Sequence, residues 1–259
     1  MTEEARANTA RPLERTSAVM RRTVRRSWYE VKTVVAQHPA LALPMARRRH
    51  GDPVGEDTQI VIEGFPRTGN TFAVVAFSMA QPRPVRVAAH VHAPAQLIAA
   101  ARRGIPGIAL VREPEETVLS FVIRHPHIGL KQALRGYLRF YEPLVPYRDR
   151  LVTALFREVT TDFGAVTRRV NERFGTSFGA FEHTEQNVRK VFEEIDRGYA
   201  NRGETGTALE SIVPRPSRYR EGVKEAPRRQ YRGPELRHLR SRADAVFRAF
   251  EEADEQTPR

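Results

Sequence analysis

The loop Gly64-Phe-Pro-Arg-Thr-Gly-Asn-Thr71 constrains the fold of this chain more than any other feature. It follows the short apolar run 59–63, which predicts a buried strand, and it precedes a helix predicted over 71–79. Its two glycines have the G-x-x-x-x-G spacing of loops that bring backbone N–H groups close to a phosphate at a helix N-terminus. The strand, loop and helix therefore predict an anion site at the edge of an α/β sheet.

The chain continues to alternate strands with helices. Apolar runs at 85–91, 107–111 and 151–156 predict three further strands, and Pro94 and Pro114 stand where helices begin. A helix is predicted over 163–174, an irregular Pro/Gly/Arg-rich stretch over 214–234, and a last helix over 234–252. Continuous apolar strands separated by helices indicate a parallel sheet covered on both faces. We assign this α/β domain to residues 56–259.

Positive charge is concentrated at the two ends of the chain. The net charge is +12, to which residues 1–50 and residues 215–242 contribute +7 each. Apolar residues recur at helical spacing near the N-terminus: Met20, Val24, Trp28, Val31 and Val35. We therefore expect a basic amphipathic helix, ended by Pro39 and Pro44, and a basic linker over 46–56, in an N-terminal extension over 1–55. Such flanks indicate an anionic partner.

Composition excludes several classes of protein. The chain has no cysteine, which excludes a disulfide framework, a cysteine-ligated metal site and a cysteine nucleophile. Its 40% of apolar residues suffices for a sizeable core. No apolar run is long enough to cross a bilayer, and the N-terminus lacks the apolar core of a signal peptide, so we expect a cytoplasmic protein.

The polar residues of the loop limit which class of ligand it can bind. Asn70 stands where a nucleotide hydrolase needs lysine, whereas Thr71 retains the hydroxyl that usually follows. Arg67 supplies a cation from inside the loop, in a geometry that suits phosphate oxygens. The missing lysine argues against metal-assisted ATP or GTP hydrolysis. Spacing alone leaves open an ordinary turn without a ligand.

Two elements resemble those of a known family. The segment 66–72 resembles the 5′-phosphosulfate loop of sulfotransferases that use 3′-phosphoadenosine 5′-phosphosulfate (PAPS), in the P-R-S-G-N-T form of many bacterial members. Arg112 and Ser120, eight residues apart, are similar to the Arg and Ser of the family's R-x-P-x-D-x-x-x-S element. The resemblance covers about residues 58–223. It implies a three-layer P-loop-type fold with a central parallel sheet of four to five strands, of which four are visible.

The resemblance also implies a set of binding residues. The 5′ end of PAPS would be held by Arg67, Thr68, Gly69, Asn70, Thr71 and Phe72, where Phe72 replaces the family's tryptophan. The 3′-phosphate would be held by Arg112 and Ser120. Arg220 and Gly222 resemble the family's R-K-G element, which completes the 3′-phosphate site, although an Arg-rich loop explains them equally well. The segment 156–162 is a weaker match to the family's Y-E-D-L-x-x-D element.

A histidine near the end of the second predicted strand is the candidate catalytic base. His92 precedes Pro94 by two residues and matches the histidine of the family's T-H-x-P context. Imidazole can remove the proton of an acceptor hydroxyl as it attacks sulfur. His90 shares a face with His92 in a regular strand, so the choice of His92 rests on its spacing to Pro94. The resemblance implies His92 as base and Arg67 as stabiliser of the leaving group.

These observations predict a PAPS-dependent sulfotransferase that needs no metal and releases 3′-phosphoadenosine 5′-phosphate (PAP). Its acceptor would be a hydroxyl on a small molecule, a carbohydrate or a lipid. Two other classes stay open: a P-loop small-molecule kinase, and a non-catalytic basic module that binds a membrane or nucleic acid. Nucleic acid is not expected, because no aromatic platform or helix-turn-helix accompanies the charge. The N-terminal helix is expected to pack on the core or to contact an anionic membrane.

Overall fold

The fold is centred on one parallel sheet. The structure is a computed structural model that describes residues 12–48, 52–201 and 218–255. Its strands are β1 (Ile60–Gly64), β2 (Val87–Ala89), β3 (Gly107–Val111) and β4 (Val152–Leu155), hydrogen-bonded in the order β2-β1-β3-β4 with every pairing parallel. The prediction of an α/β fold with a central parallel sheet is therefore confirmed, with four strands in the described residues.

Helices precede, connect and follow these strands. In chain order they are α1 (Pro12–Val35), α2 (Pro39–Arg47), α3 (Asn70–Ala80), α4 (Pro94–Arg103), α5 (Pro114–Arg124), α6 (Leu130–Tyr141), α7 (Phe156–Thr161), α8 (Phe163–Phe174), α9 (Glu185–Ala200), α10 (Arg218–Arg232) and α11 (Arg237–Glu255). Two 3₁₀ segments, Glu142–Arg150 and Pro234–Leu236, precede β4 and α11. Within the described ranges, no helix is long and apolar enough to cross a membrane.

The sheet separates two buried cores, which makes three layers. Alternate strand residues face opposite sides: Val61 joins the core under α4, α5, α6 and α11, whereas Ile60 and Ile62 join the core under α3, α8 and α9. Both cores contain fully buried side chains from β3 as well. A strand buried on both faces reads as a continuous apolar run, which is why the sequence reveals these strands clearly.

Three predicted boundaries are wrong. Strand β2 stops at Ala89 because His90 and His92 have φ angles of 59° and 53°, in the left-handed region that no strand contains. Pro44 lies inside α2 rather than ending a helix, and α2 extends to Arg47 within the predicted linker, since Pro39 opens a second helix after α1 ends. The stretch 214–234 was expected to be irregular, but α10 occupies 218–232 with Pro227 inside it.

The N-terminal helix packs on the sheet's helical layer. The ring of Tyr29 lies 5.7 Å from that of Phe121, and burial raises the pKa of the Tyr29 hydroxyl. Glu30 forms an ion pair with Arg139 of α6, and Arg26 Nε donates a hydrogen bond to the carbonyl oxygen of residue 127 at 2.8 Å. These contacts hold α1 along α6 and close to the carboxyl ends of β1 and β2.

Candidate active site

The loop after β1 is anchored from below by close packing. A Cβ atom at Gly64 would come within 2.6 Å of the carbonyl oxygen of Leu110 in β3, so only glycine fits there. The Tyr141 hydroxyl accepts a hydrogen bond from the Phe65 N–H at 3.2 Å and donates one to the Leu110 carbonyl at 2.7 Å. The loop therefore leaves the sheet along a fixed path, directly above the neighbouring strand.

Two polar side chains brace the loop internally. The Thr68 hydroxyl donates to the Phe65 carbonyl at 2.8 Å, and Asn70 Nδ2 donates to the same carbonyl and to Thr68 Oγ1, both at 3.1 Å. Both side chains are buried. Thr68 and Asn70 can therefore offer a ligand their backbone N–H groups, which lie near the start of α3, rather than their side chains. Gly69, with φ 91°, forms the left-handed N-cap of α3, and Thr71 in its first turn is half-buried.

The residues predicted to bind the two anionic ends of PAPS lie in one cluster. Arg67 Nε donates to Ser120 Oγ at 3.0 Å, and Arg112 Nη1 donates to the carbonyl oxygen of Arg67 at 3.2 Å. The Arg112 guanidinium also stacks over the ring of Phe156, 4.0 Å from its centroid. The loop after β1, the end of β3 and helix α5 thus bring these three residues together.

Helix α10 adds cations that the sequence analysis missed. Lys224 Nζ donates to Glu116 Oε2 at 2.8 Å and Arg228 Nη2 to Glu116 Oε1 at 2.6 Å, while Arg112 Nη2 lies 3.6 Å from Glu116 Oε2. Burial alone would raise the pKa of Glu116, but these cations outweigh it and lower that pKa. Lys224 and Arg228 are four residues apart, which places them on one face of a helix. This spacing is the sequence feature that could have revealed the pair.

The remaining predicted residues lie apart from this cluster or outside the description. Gly222 is exposed in α10, with open space where a Cβ would be. The backbone of Arg220 belongs to the same helix, but its side chain lies outside the described part of the chain. Phe72 is buried against Phe181 and Phe192, with ring centroids 6.2 and 5.7 Å away, so its ring belongs to a core.

The segment 156–162 is divided between the site and the fold. Phe156 faces Arg112 and also packs near Gly69. Glu158 instead caps α7, because its carboxylate accepts from the Leu155 N–H at 3.0 Å and from the buried Arg169 at 2.8 and 3.2 Å. Glu158 therefore stabilises the fold rather than facing the cluster.

His92 lies against a buried carboxylate. Its Nδ1 is 3.1 Å from the carbonyl oxygen of Gly64 and 3.4 Å from Glu63 Oε1. Both neighbours are acceptors, so Nδ1 carries the proton and Nε2 keeps its lone pair in the neutral ring. Glu63 is fully buried at the end of β1 and accepts hydrogen bonds from the backbone N–H groups of Val91 and His92 and from Gln96 Nε2, at 2.9, 3.0 and 3.2 Å.

The carboxylate tunes the basicity of His92. Burial lowers the pKa of His92, but its hydrogen bond to Glu63 and the charge of Glu63 outweigh burial and raise that pKa overall. The side chain of His92 is 30% exposed, so a substrate can reach the ring. Glu63 thus fixes the tautomer of His92 and stabilises its protonated form, as a general base requires.

Backbone strain is concentrated around these residues. In the part of the chain that the structure describes, the non-glycine residues with positive φ are Arg67, His90 and His92. Each such residue costs roughly 1–2 kcal/mol, which persists where the surrounding structure enforces it, commonly at functional sites. At His92 the enforcing contact is its N–H bond to Glu63.

A second histidine lies near the cationic cluster. The pKa of His125 is lowered to about 4, chiefly by burial and further by Arg124 and other cations that include Arg67 and Lys32 of α1. Lys32 also opposes protonation of His92. Among the described residues, no group of three or more histidine, aspartate or glutamate side chains is arranged to hold a metal ion.

Comparisons with known proteins match this chain to solved structures alone. No family model matches the chain, and no curated protein is significantly similar to it in sequence. Among solved structures, the chain is similar to mouse sulfotransferase SULT7A1 in complex with PAP, with 11% sequence identity and a TM-score of 0.43. The similarity covers 77% of this chain and 90% of that chain. An identity this low assigns no residue a role, so the function has to be inferred from the site.

Proposed function

We propose that this chain is a PAPS-dependent sulfotransferase that transfers a sulfuryl group to a hydroxyl acceptor. The observation that carries the proposal is the cluster of Arg67, Arg112 and Ser120 beside the Glu63–His92 pair. Transfer from an anionic donor to a hydroxyl group requires a cationic group that binds the donor and a base that removes the proton of the hydroxyl. The cluster and the partly exposed His92 supply these two groups.

The cluster suits a donor with two separate anionic groups. Arg67 and the N–H groups at the start of α3 fit the 5′-phosphosulfate, because both direct positive charge to one point. Arg112 and Ser120 fit the 3′-phosphate, and Lys224 and Arg228 pair with Glu116 and so offset the negative charge that lies beside Arg112. PAPS supplies the activated sulfuryl group when bound.

In the proposed reaction, His92 Nε2 takes the proton of the acceptor hydroxyl while that oxygen forms its bond to sulfur. The bond from sulfur to the bridging oxygen of the donor breaks, and PAP leaves with the electron pair. Glu63 stabilises the imidazolium that results. Arg67 and the N–H groups of residues 68–72 stabilise the charge that develops on the leaving oxygen, and they are in place before the reaction begins.

The loop favours sulfuryl over phosphoryl transfer. A P-loop kinase holds its nucleotide with a loop lysine and a metal ion. Here Asn70 occupies the lysine position, and its amide group is engaged with the Phe65 carbonyl and the Thr68 hydroxyl. No cation from that position is available to bridge the phosphates of ATP.

Calorimetric titration of the full chain with PAP and with ATP, each with EDTA or Mg²⁺, tests the proposal. We expect PAP to bind with EDTA present and ATP to bind more weakly under both conditions. Sulfuryl transfer from PAPS should proceed equally well with EDTA. A strict Mg²⁺ requirement for turnover, or a preference for ATP, would favour the kinase instead.

We also propose that α1 and α2 contact an anionic membrane peripherally. The observation that favours this is a set of exposed apolar side chains: Met20, Val24, Val31 and Val34 of α1 and Leu41 of α2. Arg25 is exposed next to them, and the surrounding segment is basic. Flotation with phosphatidylglycerol and with phosphatidylcholine vesicles at low salt tests it. Equal recovery with both lipids would contradict it. The cytoplasmic location stays a prediction.

A further inference from the structure

A cavity of about 340 Å³ lies between α1, α2 and the segment that follows β2. Sites for small molecules typically measure roughly 300–1,000 Å³, so it is large enough for one. Its lining is apolar except for two side chains, Lys32 and His90. The N-terminal helices, which lie outside the region that resembles sulfotransferases, build most of its wall.

The cavity adjoins the candidate base. Val91 and Ala93 line it, and they flank His92 in the chain. His90 also lines it, and the ring of His90 lies 6.2 Å from that of His92. The backbone N–H of Val91 binds Glu63, so one short segment forms the wall of the cavity and fixes the base. The residues on either side of the proposed proton acceptor therefore form part of the cavity wall.

The lining selects for an apolar ligand. A sugar placed there would lose water from several hydroxyl groups and find few partners in return. The cavity opens among partly exposed apolar side chains, because Trp28, Val31 and Met45 line it and remain 46%, 53% and 40% exposed. A long apolar chain can therefore lie across the opening while one end projects toward His92.

We propose that this cavity binds the alkyl chain of an amphiphilic alcohol and presents its hydroxyl group to His92. The substrate class rests on the proposed sulfotransferase activity, whereas binding of the alkyl group in the cavity does not. Helices α1 and α2 then determine which acceptor is used, and the loop and α10 determine which donor is used. Of the acceptors that the sequence left open, this selects an apolar alcohol over a carbohydrate.

Trp28 provides a direct measurement, since it is the chain's single tryptophan and it lines the cavity. A bromoalkyl alcohol quenches tryptophan on contact, so titrating it into the full chain should give saturable quenching without any donor present. Competing straight-chain alcohols from butanol to decanol should bind about fourfold more tightly per added methylene, equivalent to about 0.8 kcal/mol each. Non-saturable quenching, or an affinity that does not depend on chain length, would overturn the proposal.

Substitutions locate the binding site. Ala42 is buried in the lining, so Ala42→Phe fills part of the cavity and should weaken decanol binding at least about tenfold. Because a larger buried residue can impair folding, Val31→Asn at the exposed rim is the second variant, with Val34→Asn on the same helix as its control; Val34 is exposed but does not line the cavity. We expect weaker binding in Val31→Asn only. Equal binding in both valine variants would overturn the assignment.

Transfer assays separate this proposal from the activity itself. With PAPS present, decanol should be sulfated with a higher kcat/KM than glucose. Transfer to hydrophilic alcohols without saturable quenching would overturn the cavity assignment and leave the activity standing. Saturable quenching without transfer to any alcohol would overturn the acceptor role together with the sulfotransferase activity.

Discussion

The two basic ends of the chain carry equal charge but have different surroundings. Residues 1–50 and 215–242 each contribute +7. At the C-terminal end, Lys224 and Arg228 of α10 bind Glu116 beside Arg112. At the N-terminal end, α1 presents an apolar face to a cavity near His92. The role of a basic segment is therefore set by the groups it packs against, because ion pairs between solvent-exposed charges contribute little stability.

This contrast divides the proposed chemistry between the two ends. The C-terminal helices contribute to the nucleotide end of the site, where charge dominates. The N-terminal helices contribute to the acceptor end, where apolar burial dominates. His92 lies between them, on the segment that lines the cavity and contacts the loop. Variants at each end should change one half of the reaction and leave the other intact.

The largest effect on turnover is expected at His92, which lies between the nucleotide end and the acceptor end of the site. His92→Ala should lower turnover by about 10²–10⁴-fold, the usual contribution of a general base, and leave PAP affinity nearly unchanged. His90→Ala is the matched control, because His90 lines the cavity with its ring 6.2 Å from the ring of His92, and this variant should reduce turnover much less. Steady-state kinetics and PAP titration measure both effects. Loss of turnover in His90→Ala with near-normal His92→Ala would show that the base is misassigned.

The nucleotide end should respond next. Arg112→Ala should weaken PAP binding by about 10–100-fold, corresponding to about 1.5–3 kcal/mol for a charged hydrogen bond. Affinity for adenosine 5′-phosphosulfate, which lacks the 3′-phosphate, should change little. Equal losses for both ligands would remove Arg112 from the 3′-phosphate site.

Helix α10 offers a matched pair of smaller effects. Lys224→Gln should weaken PAP binding by less than Arg112→Ala does, because Lys224 acts through Glu116. Arg232→Gln on the same helix should leave PAP binding unchanged, since Arg232 is exposed and binds Glu115. The same titrations compare the two variants, and identical affinities would separate α10 from the nucleotide site.

The pH profile tests the carboxylate behind the base. Because the pKa of His92 is raised above 6.5, activity should fall as pH drops through a value above 6.5. Glu63→Gln removes the charge that stabilises the imidazolium, so this acid limb should move to lower pH and the maximal rate should fall. The raised pKa also contributes stability below pH 6.5, which is lost as pH rises through the folded-state value. An unmoved acid limb in Glu63→Gln would exclude Glu63 as the tuning group.

The smallest effect concerns the docking of α1. A Cβ at Gly136 in α6 would overlap the Tyr29 hydroxyl, so Gly136→Ala should cost about 1–3 kcal/mol of stability. Thermal melting measures this cost, and PAP affinity should stay unchanged. Adding Tyr29→Phe removes the overlapping oxygen and should restore part of the loss. Without such rescue, the penalty has another origin than the contact between α1 and α6.

Local chemistry made part of the molecule predictable. The loop from Gly64 to Thr71 is visible because a buried strand, two spaced glycines and a helix follow one another directly in the chain. The start of α4 and both bounds of α8 agree with the sequence, since Pro94 opens the first helix and Gly175 closes the second. The order of strand and helix in the sequence also predicted that Arg112 follows the third strand and that Ser120 lies on the next helix, as they do at β3 and α5.

Other features were hidden because their causes are distant in sequence. Glu63 belongs to an apolar run, and nothing near it indicates that its carboxylate binds His92 and Gln96. The apolar run 85–91 predicted a strand as far as Val91, but the chain around His90 and His92 has left-handed φ angles, and the N–H groups of Val91 and His92 bind Glu63. Helix α10 lies in a stretch whose Pro/Gly/Arg-rich composition does not indicate a helix, although its contacts with α5 stabilise one.

The sequence by itself determined the layered α/β fold, the loop from Gly64 to Thr71 between a strand and a helix, and the charge at each end of the chain, because these follow from neighbouring residues. Only the tertiary structure decided that Lys224 and Arg228 meet Glu116, that Glu63 faces His92, and that α1 encloses an apolar cavity. Ion pairing and burial depend on distance and local dielectric in the folded chain, and residues 29 to 112 positions apart acquire both only when the chain folds.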